Sequence, residues 1–208
     1  ALGIDLSERD LGTATQRIQD MTPHAPGGDI GFAAGDATGL PLSDESVDAV
    51  IASEILEHIP NYLAVLEELW RVLKPGGRLC ISVPRQWPEW VCWQLSEGYR
   101  TTRGGHIRIF DATHLAREVV RQGFVLTGRG SAHALHVPYW WLKCLFWRSD
   151  PEPWPVRLYH RLLVWDLMKQ PWVTRAIDAL LNPIMGTSVV LYFTKPTAQQ
   201  VAPAGHQQ

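Results

Sequence analysis

The sequence predicts an α/β fold built on a doubly wound, mostly parallel sheet, and three observations predict it. Short apolar or β-branched runs alternate with helical spacings through the first 130 residues. Acidic residues stand where two of those runs end, at Asp5 and Asp36. A helix terminator, Lys74-Pro75-Gly76-Gly77, turns one helical stretch directly into a strand.

Taken in order, residues 1–5 read as a strand already in progress. Ser7 is placed to cap a helix over Glu8 to Gln19, with Leu11, Ala14 and Ile18 inward. Pro23, Pro26, Gly27 and Gly28 break the chain. Ile30 to Ala34 is a short strand closed by Gly35-Asp36-Ala37. Val47 to Ala52 is β-branched and apolar, as a buried parallel strand requires. Leu63, Leu66, Leu69, Trp70 and Leu73 recur at helical spacing over Tyr62 to Leu73, and Arg78 to Val83 is the next strand. Residues 85–110 read as loop, rich in Trp, Gly and Arg. Asp111 starts a helix through Arg121 with Leu115, Val119 and Val120 inward, and Gly123 ends it. Phe124 to Thr127 and Gly186 to Lys195 are strands, read as a hairpin edge carrying an insertion. The organisation expected is a core of residues 1–130 and 186–195, an aromatic cap over 131–185, and a disordered tail over 196–208.

Composition excludes several classes. A net charge of −2 leaves no basic surplus for nucleic acid. Cys80, Cys92 and Cys144 are odd in number and lack C-x-x-C spacing, so neither a disulfide framework nor a metal site is expected. Three reduced thiols suit a cytoplasmic protein. No apolar run reaches the ~20 residues that span a bilayer, and the start lacks the basic region of a signal peptide. Tryptophan is unevenly used: nine of ten lie between Trp87 and Trp172.

Four constellations carry the chemistry. A carboxylate at Asp5 offers two acceptors to a vicinal diol, or caps the following helix. Asp36, with Ala37, could receive the exocyclic amine of a purine, or close a turn. Ser53 and Glu54 follow the Val47 run at the crevice where open α/β sheets bind ligands. His58 is a candidate general base or a residue that orients its loop through a backbone hydrogen bond.

In order and spacing, the residues GDATGLPLSDESVDAVIASEILEHIPNYLAVLEELWRVLKPGGRLCISVP, Gly35 to Pro84, resemble the type 11 branch of class I S-adenosylmethionine-dependent methyltransferases. The resemblance extends to Gly3-Ile4-Asp5-Leu6-Ser7, to Gly105-His106-Ile107-Arg108 and to Gly123-Phe124. It implies the family's Rossmann-like sheet with an antiparallel last strand, and S-adenosylmethionine as methyl donor. It assigns Asp5 and Leu6 to the ribose, Asp36 and Ala37 to the adenine, and Ser53 and Glu54 to the methionine side. The family's glycine-rich loop and first strand would precede Ala1, so the sheet is expected to lack that strand and the chain to be a fragment. Methyl transfer needs alignment and at most one proton removed, for which His58 and His106 are the candidate bases. Ala52-Ser53-Glu54 replaces the motif of the base-modifying branches, which favours a small-molecule or lipid-like acceptor. The aromatic segment 137–172, with interspersed Lys and Arg, suits a lid, a peripheral membrane contact or a packed cap. The alternative function is a non-catalytic module that binds a partner or membrane through this segment. A nicotinamide oxidoreductase of similar topology lacks support, since nothing resembles its catalytic tyrosine and lysine.

Overall fold

A computed structural model describes residues 1–21 and 29–197. The turn expected over 23–28 and most of the expected tail, 198–208, lie outside the described residues.

The chain begins with β1 (Leu2–Asp5) and α1 (Glu8–Met21). The Ser7 hydroxyl accepts the Asp10 N–H at 3.2 Å, an N-cap, and Leu11, Ala14 and Ile18 are half-buried as their spacing requires. β2 (Gly31–Ala34) pairs parallel with β1, so that Asp5 lies opposite Ala34. These two strands form a sheet of their own.

A second sheet has the order β3-β4-β6-β5. β3 (Val47–Ser53) runs parallel to β4 (Leu73–Pro84). β6 (Ser188–Thr194) inserts antiparallel between β4 and β5 (Val125–Ala132). The expected hairpin edge is therefore present, with the insertion between its strands. Among the described residues β1 and β3 are each paired on one side only. One face of the second sheet packs on α2 (Tyr62–Val72) and α5 (Ala112–Arg121). Leu66, Leu69, Leu115, Val119 and Phe124 meet Leu79, Ile81, Leu191 and Phe193 in the core. Both helices start on side-chain caps, Asn61 accepting from Ala64 N and Asp111 from His114 N.

Two cations tie the layers together. Arg71 on α2 donates to the Leu40 and Leu42 carbonyls, Asp44 and Glu68, and so holds the segment after β2 against the second sheet's helix. Lys195 is buried and donates to the Trp70 and Leu73 carbonyls from a position over the Trp70 ring.

Several expectations are corrected. Val47 to Ala52 is a strand, but not a buried one: Ile51 is 76% exposed because β3 has a partner on one edge only and that face has no helix on it. Val120, read as inward, is exposed, as is Leu63 at the margin of the α2 stripe, while Val65 and Ala116 join Leu66, Leu69, Leu115 and Val119 on the inner faces. The stretch read as loop holds α3 (Gln86–Leu95) and α4 (Glu97–Arg100). Their apolar residues pack on the insertion rather than on the sheet, so core periodicity was the wrong signal there. β4 begins at Leu73 and carries the Pro75-Gly76 turn as an irregularity opposite Val47–Ala49, with Gly76 at φ +80°.

The insertion is α6 (His136–Leu145), α7 (Trp154–Lys169) and α8 (Trp172–Met185). α6 lies against α3: Cys92 and Cys144 are buried and free, and the Trp141 indole donates to the Pro88 carbonyl. No described helix is long and apolar enough to cross a membrane.

Candidate active site

Asp5 and Asp36 come together. Each follows a strand of the parallel β1–β2 pair at its C-terminal end, and Gly35 N–H donates to the Asp5 carbonyl at 3.0 Å. Both carboxylates are held by local donors to one oxygen. Asp5 Oδ1 accepts from Ser7 N at 2.7 Å, so the helix-capping reading of this residue is also realised. Asp36 Oδ1 accepts from the Thr38 N–H and hydroxyl, each at 2.8 Å, and these bonds hold its carboxyl below the usual 3.8. A carboxylate has a second oxygen, and both side chains face solvent. Leu6 is 70% exposed beside Asp5, whereas Ala37 packs against the core.

Ser53 ends β3 and Glu54 directly follows it. The Ser53 hydroxyl bonds Ser82 at 2.8 Å, and Ser82 donates onward to Glu54 Oε1 at 2.9 Å. Glu54 has φ +52°, a left-handed conformation that a non-glycine residue adopts at a cost. That kink turns the chain out of the sheet and puts Glu54 on the wall of a cavity of about 440 Å³.

The same cavity takes His58 and His106, whose rings are 4.9 Å apart. The reason is local. After Glu54 the chain makes a 3-10 turn, Leu56–His58, which places Glu57 inward and His58 at the rim. Ile107 N–H donates to the Glu57 carbonyl and so brings the neighbouring His106 alongside. His58 Nδ1 contacts the Gly105 carbonyl at 3.2 Å, as the loop-orienting reading expects.

Two residues here escaped the sequence reading as buried groups. Glu57 is fully buried, and neither of its carboxylate oxygens has a hydrogen-bond partner among the described residues. Burial pushes its carboxyl up to about 7, helped by the nearby Glu54 and Glu89. Glu89 on α3 is also buried but well satisfied: Trp93 Nε1, Tyr99 OH and His106 Nδ1 surround its carboxylate, the last at 2.6 Å. Burial opposes charge on His106, and the Glu89 hydrogen bond and nearby carboxylates outweigh it, so its pKa rises. No periodicity reveals Glu89, because its partners come from residues 93, 99 and 106. The sequence offered Glu57, with Glu54, as a residue that touches cofactor or caps a helix, but not as a buried one.

The far wall is aromatic. Trp140, Trp141, Trp147 and Tyr99 line it with Val137. Gly98 permits this: a Cβ there would lie 2.5 Å from the Trp147 ring. Trp140 and Trp141, read from sequence as candidates for a membrane surface, thus turn to the cavity. The exposed tryptophans of the insertion are Trp154, Trp165 and Trp172, together with Trp140, which lines the cavity and is still 38% exposed.

Comparison with known proteins bears on the first part of the chain. Residues 1–81 match the family model described as a methyltransferase domain, type 11. The demethylmenaquinone methyltransferase of Staphylococcus saprophyticus is 40% identical over 78 residues, 38% of this chain and 31% of that enzyme. Its Listeria welshimeri counterpart is 37% identical over 81 residues, 38% of this chain and 33% of that enzyme. The matched stretch thus spans about a third of the length of these relatives. Solved structures share the fold: a methyltransferase from Methanosarcina mazei has TM-score 0.58 at 14% identity, over 94% of this chain and 82% of that one. The SpnF cyclase has TM-score 0.58 at 20% identity, over 95% of this chain and 66% of that one. A cyclase and a methyltransferase on one fold show that the fold alone does not fix the reaction. By this match, residues 1–81 are similar to the methyltransferase domain of type 11, and the fold of the whole chain is shared with solved methyltransferases.

Proposed function

We propose that this chain transfers a methyl group from S-adenosylmethionine to a small, lipid-like acceptor that carries an oxygenated aromatic or quinone-like ring. The carrying observation is the adjacency of Asp5 and Asp36 at the ends of two paired parallel strands. These residues fit the adenosine half of the cofactor. Asp5, with Leu6 beside it, would accept both ribose hydroxyls, and Asp36 would accept the adenine amine next to the Ala37 backbone. Ser53 and Glu54 would line the methionine side. When bound, the cofactor supplies a methyl on a sulfonium, already activated for in-line displacement. The protein's part is then to position the acceptor, exclude water and take one proton.

Glu54 joins the two halves of this reading, because it directly follows β3 and also lines the aromatic cavity. That cavity, mostly apolar and walled by Trp140, Trp141, Trp147 and Tyr99, suits a flat ring. The demethylmenaquinone relatives agree in kind, although their match ends before the aromatic wall begins. His58 and His106 face the same space as candidate proton acceptors. The insertion 131–185 serves as a cap over the core of 1–130 and 186–195.

Calorimetry with S-adenosylmethionine tests the assignment. Binding below millimolar is expected, with Asp5→Ala and Asp36→Ala each weakening it at least about tenfold, as loss of a charged hydrogen-bond acceptor does. Unchanged binding in both variants rejects the site.

A specific observation also favours peripheral membrane contact through the cap. Val173, Ile177, Leu180 and Ile184 form an exposed apolar stripe on α8, beside exposed Trp154, Leu158 and Trp165 on α7. A lipid-like acceptor would reach the cavity from such a surface.

A further inference from the structure

We infer that Glu57, His58 and His106 form a binding site for a divalent first-row transition-metal ion at the wall of the aromatic cavity. One donor atom from each residue lies within 4.8 Å of the others, and Glu57 Oε1 is 3.9 Å from both His58 Nε2 and His106 Nε2.

Four features make this a built site. The first is Glu57 itself, a fully buried carboxylate whose two oxygens have no hydrogen-bond partner among the described residues. A buried acceptor of that kind is costly unless something fills its coordination. The second is the tautomer of each histidine. His106 Nδ1 is committed to Glu89 at 2.6 Å, and His58 Nδ1 to the Gly105 carbonyl at 3.2 Å. Both acceptors fix the proton on Nδ1, so both Nε2 lone pairs are left to point at Glu57. The third is Glu89, which is buried and braced by Trp93 and Tyr99. A carboxylate behind a ligating imidazole is the usual orienting partner in metal sites. The fourth is access: His58 is about a third exposed and its ring lines the cavity, so an ion has an entry path and open positions on the cavity side.

The donor set selects the ion. Two imidazoles and one carboxylate suit Zn²⁺, Fe²⁺, Mn²⁺ or Co²⁺, whereas Mg²⁺ and Ca²⁺ prefer oxygen ligands throughout. Metal–ligand bonds of about 2.0–2.2 Å would draw the three atoms inward by roughly half an ångström each. Rotation of the rim residue His58 supplies much of that movement. The cysteine spacing that argued against metal from sequence has no bearing here, since no thiol takes part. The two roles of the histidines exclude one another: a nitrogen that ligates an ion is not free to accept a proton. With the ion bound, an acceptor oxygen on the open side would be deprotonated by coordination instead.

The site shares its two histidines with the methyl-transfer reading, but its test needs no methyl donor. The chain is stripped with chelator and titrated with Co²⁺, following visible d–d absorption, then with Zn²⁺ as competitor. We expect saturable Co²⁺ absorption at one ion per chain, displaced by Zn²⁺ and not by equal Mg²⁺. Glu57→Gln and His106→Gln should lose the band, and Glu89→Gln should weaken binding about 10- to 100-fold. If the buried variants do not fold, His58→Gln at the rim gives the same reading and should also lose the band. Absence of saturable binding at millimolar Co²⁺, displacement by Mg²⁺, or a band of parental strength in any folded ligand variant overturns the site.

Discussion

Leu69 and Glu57 lie a short way apart in the chain, both are buried, and their burial has opposite energetic signs. Leu69 removes apolar surface from water against Leu79, Ile81 and Phe193. Glu57 removes a carboxyl group from water without a hydrogen-bond partner among the described residues. Fold stability explains the first residue and not the second, which is why Glu57 is read as functional. The burial pattern of α2 is testable. Leu69→Ala should destabilise the chain by about 2–5 kcal/mol, the cost of a buried leucine cavity. Leu63→Ala, 40% exposed on the same helix, should stay within about 0.5 kcal/mol of the parent. Urea unfolding of the two variants decides this; equal losses would mean that α2 presents a different face from the one described. Helical spacing put both leucines in one apolar stripe, and a stripe wider than the contact cannot tell its centre from its margin.

At the scale of elements, α8 is inverted relative to an ordinary core helix. Asp178 and Asn182 point toward the body of the molecule, where they accept the Leu135 and Ala134 N–H groups, while Val173, Ile177, Leu180 and Ile184 face outward. A stripe at i, i+4, i+7 and i+11 is an amphipathic face seeking an apolar partner. Residues 131–185 carry six Lys and Arg against four Asp and Glu, which suits an anionic bilayer surface. Flotation with vesicles of anionic phospholipid should therefore carry the parent chain upward, and Leu180→Ser with Ile184→Ser should reduce the bound fraction several-fold. Trp141→Ser should leave flotation unchanged, since that ring is half-buried and lines the cavity. Equal flotation of the double variant and the parent would remove the membrane contact. The sequence exposed this segment's aromatic character but not its direction. Which side of α8 meets the body is decided by partners around 133–135, some forty residues upstream. The same holds for the proposed site: the positions of Asp5, Asp36 and Glu54 at or just past a strand end were legible, whereas that of Glu89 was not, because tertiary packing alone brings it to His106.

The whole molecule has two sheets with open edges. β1 and β3 are each paired on one side only among the described residues, and Ile51 projects from β3 at 76% exposure. Backbone donors and acceptors along such an edge form a template for another strand, and an apolar side chain beside them adds drive to the pairing. Arg71 and its carbonyl partners bridge the two sheets through side chains, leaving both edges unpaired. The 208-residue chain should therefore self-associate as its concentration rises, and Ile51→Lys should suppress this by placing a charge on the edge. The substitution should barely move thermal unfolding, because an exposed isoleucine contributes little to the folded state. Sedimentation velocity across a concentration series reads the first expectation and calorimetric melting the second. If Ile51→Lys associates as the parent does, contact between copies runs through another surface, and the apolar stripe of α8 becomes the element to change next. If it melts far below the parent, Ile51 is packed in solution, and the separation of the two sheets described above does not hold.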